Sequence, residues 1–115
     1  MLCVAAGGAV LALAVEGFTL EWTHTVERVQ WWERWEVTEA GLRPVEARVV
    51  GSGAGMEPPE GAVLMADGWH YAPQVAPLPE VSLASTGQGD GWQFCAGGAC
   101  RVFAGEVRLW VAGGC

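Results

Sequence analysis

The sequence predicts an all-β fold, an antiparallel β-sandwich or partly open barrel built from consecutive hairpins. Apolar and polar residues alternate with a period of two through long stretches, most clearly from Phe18 to Val50. Seventeen glycines and six prolines punctuate short apolar runs, which is the turn chemistry that joins strands. No segment keeps a helical period long enough to compete.

Length and composition bound the rest. The 115 residues form a single domain spanning 1–115, large enough to bury roughly two-thirds of the surface of its unfolded chain. With 51% apolar residues, disorder is excluded. The net charge is −7, lysine is absent and the six arginines are scattered. Nucleic acid needs a basic stripe and anionic lipid needs a polybasic cluster, so neither is an expected partner.

The chain opens with Met1 to Val15, an apolar segment without a basic leader region and short for a membrane span. Gly7-Gly8 in its middle predicts a hairpin rather than a signal peptide. Three antiparallel strands then follow between Phe18 and Val50. Placing a four-residue turn at Glu27 to Gln30 sets Val26 against Trp31, His24 against Glu33, Trp22 against Trp35 and Leu20 against Val37. Each apolar residue then meets an apolar one, with His24 and Glu33 as the single polar pair on the inner face. Glu39-Ala40-Gly41 predicts a three-residue loop, after which Thr38 meets Leu42. Val45, Ala47 and Val49 line up beside Trp35, Glu33 and Trp31, while on the outer face Arg34 meets Glu46 and Trp32 meets Arg48. A charge pair and an Arg over a Trp face are each worth about 0.2 to 1 kcal/mol when exposed.

Gly51 to Pro59 is a glycine-dense connection. It lacks the Lys-Ser/Thr and the following helix of a phosphate loop, so a tight irregular turn is the reading. Asp67-Gly68 predicts a hairpin turn between Val63–Ala66 and Trp69–Tyr71, with His70 exposed or at an edge, facing Met65. Pro73, Pro77 and Pro79 enforce an extended crossing between two parts of the fold. A short strand at Val81 to Ala84, a polar loop at Thr86 to Gly91, and strands around Trp92–Cys95, Cys100–Ala104 and Val107–Ala112 complete the chain.

The Gly97-Gly98 turn sets Cys95 directly opposite Cys100 at a non-hydrogen-bonded position. Cα atoms there approach to about 4.5 Å, within disulfide range. Cys3 and Cys115 remain to tie the two ends together. Zinc held by four thiolates competes, but the spacing lacks two C-x-x-C knuckles. Disulfides point to the cell envelope or periplasm, although no signal peptide is visible and the cytoplasm stays open.

Function is less legible. Candidate ligand- or partner-binding residues are His24, Glu27, Trp32, Glu33, Trp35, Arg48 and Met56. His24 opposite Glu33, flanked by tryptophans, is either a structural pair or the mouth of a small-ligand pocket. No nucleophile, metal set or cofactor motif accompanies it, so catalysis is not expected. One of the adjacent Trp31 and Trp32 must face outward, as an interface residue often does.

At His24-Thr25-Val26-Glu27, Glu33-Arg34-Trp35, Glu46-Ala47-Arg48 and the Gly51-to-Met56 loop, the chain resembles a small bacterial family of unknown function. Its members are encoded beside the fused membrane subunit and the binding protein of TAXI-type TRAP transporters. The likeness extends to the opening Leu-Cys with Gly-Gly and to the closing cysteines. Other relatives carry an N-terminal membrane anchor, which this sequence lacks. The resemblance implies an accessory role in solute uptake, with the membrane subunit or solute-binding protein as partner, and it brings no established activity, because the family has none.

Overall fold

A computed structural model describes residues 1–24, 29–50, 60–83, 91–103 and 105–115. It is all-β, two antiparallel sheets packed together and not closed into a barrel. The strands are β1 Leu2–Ala6, β2 Ala9–Leu13, β3 Gly17–His24, β4 Val29–Thr38, β5 Gly41–Val50, β6 Val63–Met65, β7 Gly68–Tyr71, β8 Glu80–Leu83, β9 Trp92–Ala96, β10 Ala99–Phe103 and β11 Val107–Val111. The smaller sheet runs β2-β1-β11-β8 and the larger β10-β9-β3-β4-β5-β7-β6.

The core lies where the smaller sheet covers one end of the larger. Leu2, Val4, Leu83, Val107 and Leu109 pack against Phe18, Leu20, Trp35, Leu42 and Phe94. Phe18 stacks on Trp35 with ring centroids 6.0 Å apart. Among the described residues, β6 and β7 contribute nothing to this cluster. The prolines at 73, 77 and 79 carry the chain from β7 in one sheet to β8 in the other, as expected. Reciprocal backbone hydrogen bonds of 2.8 Å between Leu42 and Leu78 pin that crossing to the start of β5.

Several hairpins match the sequence reading. Gly7-Gly8 joins β1 to β2, and Gly97-Gly98 joins β9 to β10 with Cys95 opposite Cys100. Both disulfides are formed, Cys95–Cys100 with Cα atoms 4.1 Å apart and Cys3–Cys115 at 5.8 Å. From Gln30 to Arg34 the β4–β5 register is the expected one, including Trp32 opposite Arg48 and Arg34 opposite Glu46.

Other registers differ. Strands β3 and β4 are offset by four residues from the expected pairing: Phe18 faces Trp35, Leu20 faces Glu33, Trp22 faces Trp31 and His24 faces Val29. His24 and Glu33 are therefore not cross-strand partners. Val29 and Gln30 belong to β4 rather than to a turn, and the connection falls at 25–28, outside the described residues. Because the offset is even, every side chain keeps its face, and alternation alone does not distinguish the two registers.

Near the β4–β5 turn the register shifts between Arg34 and Trp35, so Trp35 faces Pro44 and Thr38 faces Gly41. Pro44 has no N–H for the ladder, and a bulge beside it absorbs the extra residue. Gly41 sits at φ +131°, and a Cβ there would lie 2.3 Å from the Leu78 carbonyl oxygen. The β6–β7 turn is one residue earlier than expected, with Met65 facing Gly68 and Val63, rather than Met65, facing His70. His70 is not on an edge, because β6 lies outside β7.

Candidate functional site

The outer face of the larger sheet is built where β4, β5 and β7 run side by side. Alternation sends Trp32, Arg34, Glu46, Arg48 and His70 outward, and the registers make neighbours of Trp32, Arg48 and His70 in one row. The Arg48 guanidinium carbon lies 5.0 Å from the Trp32 ring centroid. Arg48 Nη1 donates to Asp67 Oδ2 at 3.1 Å. His70 Nε2 lies 2.6 Å from Asp67 Oδ1, and because a carboxylate only accepts, the proton sits on that nitrogen. On the other side of the ring, Nδ1 is 4.0 Å from Glu46 Oε1, and Glu46 Oε2 accepts from Arg34 Nε at 3.2 Å. Glu21, opposite Trp32, accepts from the Gln30 amide.

This network holds one half-buried tryptophan in place by an arginine that a turn residue in turn restrains. The Asp67 carboxyl is held below the usual range, first by its hydrogen bond to His70 and further by its own backbone amide, the His70 charge and a hydrogen bond from Arg48. An Arg over a Trp is worth about 0.5 to 1 kcal/mol at an exposed site, and exposed ion pairs add at most about 1 kcal/mol each. The cluster shapes a surface more than it stabilises the fold.

The opposite face of the same strands carries a second group. Glu33 lies between Leu20 and Ala47, and Ala47 faces Tyr71. Two residues along, Trp22, Trp31, Val49 and Trp69 form the next row, and Trp22 stacks on Trp92 at 6.0 Å. The Glu33 carboxyl accepts from the Trp31 indole, yet burial dominates and pushes its pKa up. Tyr71 is pushed up as well, first by burial and then by the Glu33 charge.

Of the candidates read from the sequence, Trp32 and Arg48 meet on the outer face as expected. Glu33 lies on the inner face, and Trp35 is a core residue only 6% exposed. His24 is placed by its backbone pairing to Val29, away from Glu33. Glu27 and Met56 lie outside the described residues. Asp67, His70, Tyr71 and Trp69 were missed. Asp67 reads in the sequence as a turn former, and only the one-residue shift of that turn aims its carboxylate at Arg48. Among the described residues no group of three His, Cys, Asp or Glu side chains converges to hold a metal. Among the described residues no helix is long and apolar enough to cross a membrane.

The DUF1850 family, a domain of unknown function, matches residues 18–103, and the chain belongs to it. No curated protein and no solved structure gives a significant match.

Proposed function

We propose that this DUF1850 domain acts by contact, as an accessory or partner-binding domain of a TAXI-type TRAP uptake system. The observation that carries the reading is Trp32 under Arg48, with Arg48 anchored on Asp67. Trp and Arg dominate the energetics of protein interfaces, above all where neighbouring groups hold them in place before binding. The transporter itself comes from the sequence resemblance, and the partner is its membrane subunit or its solute-binding protein. The two disulfides support an oxidising compartment, the envelope or periplasm, for that encounter.

The test is a pull-down of membrane subunit and solute-binding protein from detergent extract by the wild-type domain and by Trp32→Ala. Wild type should retain one component, and Trp32→Ala should lose most of it while melting within a few degrees of wild type. Retention of neither by wild type, with normal uptake in a deletion strain, defeats the proposal.

A further inference from the structure

On the core-facing side, β5 offers only Ala47 and Val49 between two taller neighbours. Strand β4 contributes Trp31 and Glu33, and β7 contributes Trp69 and Tyr71, register for register. Two inter-strand spacings put these flanks about 10 Å apart at the backbone. Ala47 and Val49 are buried beneath them, while Trp31, Glu33, Trp69 and Tyr71 all remain partly exposed. None of the four belongs to the described core cluster. Three aromatic side chains and one carboxyl group thus share this stretch of the inner face, with Trp31 and Tyr71 interacting with the carboxyl.

Charge bookkeeping singles that carboxyl out. Glu46, Glu36, Asp67 and Glu80 are each matched to an arginine. The other unmatched glutamates of the described residues lie in water, apart from Glu21, which accepts from Gln30. Glu33 alone is substantially withdrawn from water with no cation beside it among the described residues, its neighbours being Trp31 and Tyr71. Aromatic faces attract a cation through their quadrupole, more strongly when water is displaced. A carboxylate withdrawn from water on a face shared with such side chains is complementary to a positive charge carried on an apolar body.

We propose that Trp31, Glu33, Trp69 and Tyr71 form a binding site for a small organic cation of the alkylammonium class. The cation sits over β5 against the two tryptophan faces, with Glu33 as its counter-ion. This site is on the face opposite Trp32 and stands independently of the partner-binding reading.

The experiment titrates the full chain with choline and with its neutral carbon analogue, in which carbon replaces the ammonium nitrogen. Tryptophan fluorescence and calorimetry follow binding at constant ionic strength. Saturable binding of choline is expected, with the neutral analogue at least about tenfold weaker. Glu33→Gln and Trp69→Leu should each weaken choline by a similar factor, and Trp32→Ala should leave it unchanged. Only the ionised carboxylate binds, so affinity rises with pH through the raised Glu33 range in wild type and stays flat in Glu33→Gln. Equal binding of choline and analogue, or no saturable signal at tens of millimolar, overturns the proposal. So does unchanged choline affinity in Trp69→Leu, which decides the matter if Glu33→Gln does not fold.

Discussion

Asp67 Oδ2 lies 3.1 Å from Arg48 Nη1, so a turn residue of one hairpin holds the arginine that covers a tryptophan in another. Asp67→Asn removes the charge and keeps the shape. The expected outcome is a severalfold loss in the pull-down, because Arg48 no longer holds Trp32 in one orientation.

The same carboxyl predicts a pH signature. Its folded pKa is depressed, chiefly by the hydrogen bond to His70, so its stabilising contribution is present above the ordinary aspartate range and is lost as pH falls through the folded value. Thermal melts of wild type and Asp67→Asn should therefore differ at neutral pH and converge in acid. A constant difference across the acid range defeats this assignment.

Glu33 has the opposite sign. Its folded pKa is raised by burial, so the native state holds a proton that the unfolded chain has already released. Stability then falls as pH rises from the ordinary glutamate value through the folded one. Glu33→Gln retains an acceptor for Trp31 and carries no charge. In ligand-free protein it should gain stability relative to wild type over that window, read from melts in a pH series.

A double-mutant cycle checks the β3–β4 register. His24 and Glu33 occupy backbone positions four residues out of register, since Glu33 faces Leu20. That corresponds to about 13 Å along a strand. His24→Ala and Glu33→Gln should add within about 0.5 kcal/mol in denaturant unfolding. A larger coupling energy contradicts the register.

Among the described glycines for which a Cβ would meet backbone, Gly41 has the most to lose. Its φ of +131° disfavours any side chain, and a Cβ would meet the Leu78 carbonyl oxygen at 2.3 Å, backbone that cannot step aside without moving the crossing. Gly41→Ala should cost at least about 3 kcal/mol. Gly7→Ala, with open space around it, should cost about 1 to 2 kcal/mol for its left-handed backbone alone.

Most of the strands were legible because alternation and paired glycines are local signals. The β9–β10 hairpin and its disulfide follow from Gly97-Gly98 directly. The β3–β4 register was not legible, because Leu20, Trp22, Trp31, Glu33 and Trp35 keep the same face under any even shift. Setting His24 against Glu33 favoured one register on chemistry that the fold does not use. The bulge after Arg34 depends on how Pro44 meets a partner strand, and Asp67 acquires its role from a one-residue displacement of a turn. The contact of Trp32 with Arg48 survived these errors because the β4–β5 turn is one residue shorter than expected and the bulge between Arg34 and Trp35 restores the expected register beyond it.

The cross-link between Cys3 and Cys115 closes a covalent loop across a sequence separation of 112 residues, with β1 and β11 already adjacent in one sheet. A loop on the order of 100 residues contributes about 4.7 kcal/mol in the chain-entropy description. It also changes what a cut means. A single proteolytic nick between Cys3 and Cys115 releases no fragment; it adds the mass of one water and creates two new ends, leaving two chains joined by the disulfide. Only reduction then separates the pieces, so a nicked and an intact domain are told apart on a reducing gel and not on a non-reducing one by loss of mass.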